Sequence, residues 1–281
     1  MNRALLVGIN AYPGNELRGC VNDVTDMADH LVKNCDFKVE DIRLLVDDRA
    51  TTAGIRERLD WLVGGLKPGD RVLFHYSGHG ARFPVRDAQG DVLRVDECIC
   101  PVDFDWSIAH TLRDKQFYEI FSSVPDDVEF IWVSDSCYSG DMARVMMPKG
   151  RKAKMMPMPQ DIAWRMRTAQ ARRLKLPGFV HVMKDFHVAL VSGCTATQTS
   201  ADAAFGPEDN LRYNGALTRY LLDRMAAADG SKQSLLKVVT DIRAKLRTDG
   251  FDQEPQIEGA GDLVKHPFLY STPTTVPGAT A

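Results

Sequence analysis

The chain alternates short apolar runs with amphipathic stretches. The apolar runs are rich in β-branched residues and show no apolar-to-polar alternation, the pattern of strands that are buried on both faces. These predicted strands span residues 3–9, 42–46, 71–77, 128–134 and 187–193. Continuous burial of this kind is typical of a parallel sheet.

Between the predicted strands, apolar residues recur at the spacing of a helix face. Thr51 and Thr52 supply capping hydroxyls at the start of the second of these stretches. The apolar positions are Val21, Val24, Met27, Ala28, Leu31 and Val32 in the first stretch, and Ile55, Leu59, Leu62, Val63 and Leu66 in the second. The alternation of strand and helix predicts an α/β fold with a mostly parallel central sheet flanked by helices.

The pattern changes in the middle of the chain. Residues 144–184 are rich in Met, Pro and basic side chains and lack strand periodicity, which indicates a mobile linker with one short helix. Regular patterning resumes at Asp185, with predicted helices at 216–228 and 235–247 and a strand at 263–270. We therefore divide one domain into a large portion (1–143), a linker (144–184), a small portion (185–270) and a disordered tail (271–281).

Composition narrows the class of protein. The 281-residue chain has a net charge of -3, so its overall charge suggests neither nucleic-acid nor membrane binding. No apolar run approaches the roughly 18 residues of a spanning helix, and the N-terminus reads as a first strand rather than an export signal. The six cysteines form no disulfide framework. We expect free thiols and a cytoplasmic location.

Two residues with catalytic chemistry follow predicted strands. His79 lies between glycines in "YSGHG" (76–80), and Cys137 lies in "DSCYSG" (135–140). Carboxyl ends of parallel strands meet at one edge of a sheet, where ligands bind. Taken alone, His79 could equally be a strand-end residue that bonds to backbone, and a free cysteine is usually a small buried hydrophobic residue.

Together, the two residues indicate nucleophilic catalysis. Attack on a carbonyl needs a sulfur nucleophile, a proton carrier and amides that stabilise the oxyanion. We assign Cys137 as nucleophile and His79 as acid-base partner, and we expect the backbone amides of Gly80 and Cys137 to donate to the oxyanion. No Asn or Asp is uniquely placed to orient His79, so a Cys-His dyad is predicted, with a backbone carbonyl as a possible orienting group.

The two motifs resemble those of metacaspases and orthocaspases, a branch of the caspase-like cysteine peptidases. The segments "ALLVGINAY", "LRGCVNDV", "DECICPVDF" and "SGCTATQTSADA" resemble that family in the same order. The resemblance covers residues 3–143 and 185–270. It implies a caspase-like three-layer sandwich, protein substrates and a monomer.

Acidic residues indicate the substrate. Carboxylates that line a pocket select Arg or Lys through charge-assisted hydrogen bonds. Asp135 lies two residues before the nucleophile, and Asp23 follows the first strand, although Asp23 could simply be an acid at a helix N-terminus. The resemblance implies that Cys20, Asp23, Ser77 and Asp135 line this pocket, which favours cleavage after Arg or Lys over cleavage after Asp.

The basic linker fits the same preference, and we hypothesise a zymogen that cleaves itself there, although a charge run can also be an ordinary solvated surface. The candidate cleavage residues are Lys149, Arg151, Lys152, Lys154, Arg165, Arg167, Arg172, Arg173 and Lys175.

Metal binding is expected to be dispensable. Many metacaspases need calcium, and the resemblance makes Asp96, Glu97 and Asp114 weak ligand candidates. An adjacent acid pair of the family appears here as Arg113-Asp114, so calcium dependence is not expected. Cys98, Cys100 and His110 match no common zinc spacing, which favours core packing.

Two other classes of protein remain as alternatives. A doubly wound sheet can bind nucleotides, but neither GxxxxGK nor GxGxxG follows a strand. A caspase-like scaffold that is catalytically silent, or that a separate activator protein switches on, is the other alternative. Intact Cys137 and His79 speak against a silent scaffold.

Overall fold

The computed structural model describes residues 1–138, 147–148, 150–171, 186–195, 197–227 and 229–269. The predicted disordered tail (271–281) lies outside the described residues. In the described part, six strands form one central sheet. They are β1 (Asn2–Gly8), β2 (Ile42–Val46), β3 (Arg71–Ser77), β7 (Glu129–Asp135), β9 (Val188–Ser192) and β12 (Gln256–Gly259).

The central sheet is mostly parallel. Its strand order is β12-β9-β7-β3-β1-β2, and each neighbouring pair is parallel except β12 with β9. Two three-stranded sheets accompany it, in the orders β4-β5-β6 and β11-β10-β8. Their strands are β4 (Gly80–Arg86), β5 (Val92–Ile99), β6 (Leu112–Arg113), β8 (Arg151–Ala153), β10 (Ala201–Phe205) and β11 (Arg212–Gly215).

Helices cover both faces of the central sheet. In strand β1, Leu5 and Val7 pack in one core cluster with α2 and α3, while Ala4 and Leu6 pack in a second with α1, α5 and α6. Alternate residues of a strand point to opposite faces, so both sets must be apolar. The helices are α1 (Cys20–Asn34), α2 (Thr52–Val63), α3 (Asp114–Phe121), α4 (Gln160–Ala171), α5 (Ala216–Ala226) and α6 (Leu235–Thr248).

This arrangement confirms the predicted three-layer α/β class. Capping side chains determine where two of its helices begin. Thr51 begins α2 as an N-cap, because its hydroxyl accepts the amide of Gly54 at 3.1 Å. Ser234 caps α6 in the same way through the amide of Lys237. None of the helices in the described ranges is both long and apolar enough to span a bilayer.

The strand predicted at 263–270 is wrong. A short 3-10 helix, Leu263–Lys265, stands there, and the last strand of the sheet is β12, which pairs antiparallel with β9. Phe268 and Leu269 are buried in the core next to α6. Their apolar character therefore reflects burial without strand pairing. Within the predicted linker, the structure contains a strand, β8, besides the helix α4.

The central strands should contribute most of the stability. We expect Leu73→Ala in β3, which is fully buried, to lower the free energy of unfolding by about 2–5 kcal/mol through lost burial and a residual cavity. Leu93→Ala in β5 is the matched control, since that side chain is 57% exposed and its loss should change stability by about 0.5 kcal/mol or less. Urea unfolding measures both, and equal costs would contradict this account of the core.

Candidate active site

The register of the central sheet brings the two motif loops together. Strands β3 and β7 are parallel with Ser77 opposite Asp135, so His79 and Cys137 each emerge two residues beyond a paired position. Gly80 lies directly against the second loop, because a Cβ atom there would be 2.4 Å from the carbonyl oxygen of Cys137. The close approach of the two loops therefore requires glycine at this position.

His79 is oriented by a backbone carbonyl. Its Nε2 lies 2.7 Å from the carbonyl oxygen of Asn15, and a carbonyl can only accept, so Nε2 carries the proton. Its Nδ1 is buried and has no hydrogen-bond partner among the described residues. Burial lowers the pKa of His79 to about 4. The ring is therefore neutral, with a free lone pair on Nδ1.

Two buried tyrosines hold the His79 loop. The Tyr12 hydroxyl accepts the amide of His79 at 3.1 Å, and the Tyr76 hydroxyl donates to the carbonyl of His79 at 2.6 Å. The hydroxyl oxygens lie 3.0 Å apart, and both contact the carbonyl oxygen of Cys100. The backbone of His79 is thus fixed at both its amide and its carbonyl.

Cys137 is buried and protonated. Its Sγ accepts the amide of Ser200 at 2.6 Å, and the thiol donates to the carbonyl of Ser200 at 3.3 Å. Burial, together with a hydrogen bond to Cys194, raises the pKa of Cys137 well above its ordinary value. The thiol and the imidazole are both neutral in this structure.

A segment of the predicted linker crosses the two loops. Its strand β8 pairs antiparallel with β10, and the amide of Lys154 continues this pairing by donating to the carbonyl of Ser200 at 3.0 Å. On the other side, the amide of Met156 donates to the carbonyl of Gly80 at 2.9 Å. Residues 151–156 therefore lie extended between β10 and the start of β4.

The carbonyl of Lys154 receives both predicted oxyanion donors. The amides of Gly80 and Cys137 each donate to this oxygen at 3.1 Å. Two amides that converge on one carbonyl oxygen polarise it and would stabilise negative charge there. The peptide bond between Lys154 and Met155 is therefore the one presented to the two motif loops.

The side chain of Lys154 fills a buried acidic pocket. Its Nζ lies 2.8 Å from the hydroxyl of Ser77, 3.1 Å from a carboxylate oxygen of Asp23 and 3.2 Å from one of Asp135. Cys20 belongs to the same cluster, since Ser77, Lys154 and Asp23 all affect the pKa of its thiol, which burial raises. The structure thus brings together Cys20, Asp23, Ser77 and Asp135 around one ammonium group.

Asp135 is held ionised in this pocket. Thr218 donates to it through its amide at 2.9 Å and its hydroxyl at 2.8 Å, and the Ser200 hydroxyl donates at 2.6 Å. Burial alone would raise the pKa of Asp135, but the Lys154 ammonium and these hydrogen bonds lower it below the ordinary value.

Asp23 is the less acidic of the two carboxyl groups. It accepts the amide of Gly215 at 2.9 Å, the side chain of Asn214 at 2.9 Å and the hydroxyl of Ser77 at 2.6 Å. Burial raises the pKa of Asp23 to about 6, because one ammonium shared with Asp135 offsets only part of that effect. The Lys154 ammonium therefore neutralises the charge of Asp135 and offsets only part of the charge of Asp23.

Gly215 leaves the space that the ammonium occupies. A Cβ atom there would lie 2.0 Å from Nζ of Lys154 and 2.2 Å from a carboxylate oxygen of Asp135. The φ angle of Gly215 is -68°, so the backbone itself would accept alanine. The glycine is therefore needed for pocket volume and not for conformation.

Sequence reasoning missed several residues of this site. They are Asn15, Ser200, Asn214, Gly215 and Thr218, whereas Lys154 was named from sequence only as one of several candidate cleavage residues. Ser200 lies in the segment "SGCTATQTSADA" that carried part of the resemblance, and this was the available signal. Asn15 lies in a loop, Asn214 and Gly215 end strand β11, and Thr218 lies in the first turn of α5. Local sequence pattern does not mark any of these positions.

Of the weak calcium candidates, Asp96 and Glu97 lie in β5 and Asp114 begins α3. Both carboxylate oxygens of Asp96 are engaged by arginines, with Arg94 at 2.7 Å and Arg113 at 2.7 Å. Burial and the neighbouring Asp96 raise the pKa of Asp114 to about 6. Two guanidinium groups beside these acids fit a dication poorly. In the part of the chain that the structure describes, no three His, Cys, Asp or Glu side chains are grouped so that they could hold a metal ion, and this includes Cys98, Cys100 and His110.

Comparison with known proteins shows the family of this chain. The sequence model of the metacaspase, peptidase C14 domain, matches residues 2–146. Metacaspase-7 of Arabidopsis thaliana is 42% identical over 147 residues, which span 50% of this chain and 35% of that protein. This chain therefore aligns with about a third of the length of that plant relative.

Other relatives match along most of their length. Metacaspase-2 of Trypanosoma brucei brucei is 31% identical over 92% of this chain and 73% of its own. The crystal structure of protein GSU0716 from Geobacter sulfurreducens superposes with a TM-score of 0.68 at 26% identity, covering 96% of this chain and 98% of that one. The two motif loops lie at one edge of a parallel sheet, and the sequence is similar to metacaspases over most of its length. The chain belongs to the metacaspase family, peptidase C14, of cysteine peptidases.

Proposed function

We propose that this metacaspase-family protein is an endopeptidase that cleaves after Lys or Arg with Cys137 and His79, and that it is made as a zymogen that cleaves itself after Lys154. The placement of Lys154 carries this proposal. Its ammonium lies between Asp23 and Asp135 while its carbonyl accepts the amides of Gly80 and Cys137. A substrate residue before a scissile bond requires both features at once.

The reaction starts from the neutral pair. The Cys137 thiol gives its proton to Nδ1 of His79, and the sulfur attacks the carbonyl carbon of the residue in the pocket. The oxyanion stays on the amides of Gly80 and Cys137. The imidazolium then protonates the amine of the leaving residue, which is Met155 in self-cleavage, and leaves a thioester on Cys137.

Hydrolysis of the thioester reverses the roles. Nδ1 of His79 takes a proton from water, the hydroxide attacks the thioester carbonyl, and the thiol recovers a proton as it leaves. The carbonyl of Asn15 keeps Nε2 protonated throughout and stabilises the imidazolium. This supports a dyad oriented by backbone in place of a third catalytic side chain.

The position of residues 151–156 over the two motif loops also supports an inactive zymogen. Burial raises the pKa of the Cys137 thiol and lowers the pKa of His79, so the reactive thiolate-imidazolium pair is disfavoured while residues 151–156 cover the site. Cleavage after Lys154 would free this segment to leave. We propose a monomer and a cytoplasmic location, as predicted from sequence, and self-cleavage in place of the separate activator protein that the sequence left possible.

Calcium is proposed to be dispensable. Arg113 stands where the family resemblance leads us to expect an acid, and its Nη1 lies 2.7 Å from Asp96. This ion pair supports activity without added metal. The alternative of a silent scaffold is disfavoured by the paired amides on the Lys154 carbonyl, which a scaffold would not need.

Purified protein should convert itself into two fragments. Cleavage after Lys154 divides the 281 residues and 31.3 kDa into pieces of about 17 and 14 kDa. Cys137→Ala should remain one chain, and Lys154→Arg should still be cut because a guanidinium also pairs with the carboxylates. Mass spectrometry of the new termini identifies the bond.

Peptide turnover completes this test. Peptides that end in Lys or Arg before a fluorescent leaving group should be hydrolysed with and without a calcium chelator, and peptides that end in Asp should not. A wild-type chain that stays intact and hydrolyses none of them would contradict the proposed peptidase, whereas cleavage only with calcium would contradict the metal proposal alone.

Docking of Lys154 should protect Cys137 from alkylation. We use a His79→Ala background, which keeps the thiol and stops self-cleavage. Lys154→Ala leaves two buried carboxylates without a cationic partner. We expect residues 151–156 to leave the site on the order of 100-fold more often as a result, and so to expose the thiol. Iodoacetamide labelling of Cys137, resolved by peptide mapping, should accelerate accordingly.

Lys152→Ala is the matched control for the labelling test. The Lys152 side chain is exposed and its ammonium donates to the carbonyl of Glu16 at 2.7 Å, outside the acidic pocket, so its loss should leave labelling nearly unchanged. Equal labelling of both variants would show that the pocket does not hold the segment in place.

Gly215→Ala should block the pocket. The added methyl group collides with the ammonium position, and we expect kcat/KM for Lys and Arg peptides to fall by about 100-fold or more. Gly261→Ala is the matched control, since its Cβ would meet nothing within 4 Å. Circular dichroism checks the fold of both, and full activity of a folded Gly215→Ala protein would refute the assigned pocket.

A further inference from the structure

Arg151, three residues before Lys154, has its own binding surface. Its guanidinium carbon lies 3.6 Å from the centroid of the Phe251 ring. Its Nη1 donates to the carbonyl of Gly250 at 2.7 Å, and its Nη2 lies 3.4 Å from the carbonyl of Asp249. A planar cation thus stacks on an aromatic face while its edge meets two carbonyl oxygens.

The two carbonyls are at the negative end of a helix. Strong acceptors and a partial negative charge collect where a helix ends, because its last carbonyls have no partner within it. Helix α6 ends at Thr248, and Asp249 and Gly250 follow directly. The φ of +74° at Gly250 turns the chain sharply after the helix, a conformation that favours glycine.

The aromatic face is fixed by the small portion of the protein itself. Phe251 stacks on Phe205 of β10 with ring centroids 6.1 Å apart and contacts Tyr220 of α5 edge-on at 5.8 Å. The Tyr220 hydroxyl in turn donates to the carboxylate of Asp249 at 2.5 Å. These contacts do not involve residues 151–156, so the surface is formed whether or not the linker occupies it.

The pairing of β8 with β10 determines which residue reaches this surface. Arg151 lies opposite Ala203 and Ala153 opposite Ala201, while Lys154 enters the acidic pocket. Any peptide that adds to β10 in this register, with its basic residue in the pocket, places the residue three positions earlier over Phe251.

We propose that Phe251, with the carbonyls of Asp249 and Gly250, forms a second specificity site that selects arginine three residues before the cleaved residue of a substrate. The inference deepens the proposed peptidase function and rests on it. The protein thus recognises two basic side chains of its preferred substrates. One pairs with buried carboxylates, and the other stacks on an aromatic ring. Arginine is favoured over lysine at the second position because only a planar guanidinium stacks and donates from its edge.

A peptide series tests this site on the self-processed wild-type enzyme. The peptides have the form acetyl-X-Lys-Ala-Lys-reporter, with arginine, citrulline, lysine or norleucine as X. Arginine should give a kcat/KM about 10-fold above norleucine, with lysine between them. Citrulline keeps the shape and loses the charge, so it should be cleaved close to the norleucine rate.

Two variants test whether Phe251 causes the preference for arginine. Phe251→Leu keeps an apolar side chain against Phe205 but removes the aromatic face, and should reduce the arginine preference, measured as the ratio of kcat/KM for the arginine and norleucine peptides, to about 3-fold or less. Phe186→Leu is the matched control, because Phe186 packs on Tyr118 and Phe121. It should retain the full preference.

The possible results distinguish failure of the second specificity site from failure of the proposed peptidase function. Equal rates for arginine and norleucine, or for arginine and citrulline, with normal turnover would overturn the second site and leave the peptidase proposal standing. An unchanged preference in folded Phe251→Leu would overturn it as well. Absence of turnover on every peptide would overturn the proposed function and the second site with it.

Discussion

The Lys154 ammonium between Asp23 and Asp135 is the interaction on which the rest of the site depends. Both carboxyl groups are fully buried, and a buried charge is costly unless it is paired and hydrogen-bonded. Here amides, hydroxyls and one ammonium supply those partners. Such an arrangement adds little net stability, and it supports the proposed preference for a basic side chain in the pocket.

That pairing also positions the backbone. Once the ammonium is in the pocket, the carbonyl of the same residue falls on the amides of Gly80 and Cys137, and the preceding residues follow β10. Because an extended chain has a fixed rise and alternation, one anchored side chain determines the register of its neighbours. The contacts of Lys152 with Glu16 and of Arg151 with Phe251 are consequences of the same register.

The pocket is assembled from both portions of the chain. Asp23, Ser77 and Asp135 come from α1, β3 and β7, whereas Gly215 and Thr218 come from the region of β11 and α5. Strands β7 and β9 join these portions within one sheet through paired backbone. The proposed cut after Lys154 would break none of this pairing, so the sheet that joins the two portions would stay continuous.

Five of the six central strands, four of the helices and the positions of His79 and Cys137 at strand ends could be predicted from sequence, because burial on both faces leaves a strong apolar pattern and parallel strands share an edge. Strand β12 was not predicted. Asp23 and Asp135 were suggested by charge and resemblance. Pattern failed at 263–270, where apolar residues are buried without pairing. It also could not choose Lys154 among the many basic residues of the linker, or find Asn15, Gly215 and Phe251. Those roles depend on which backbone positions meet across distant elements, and only the tertiary structure decides that.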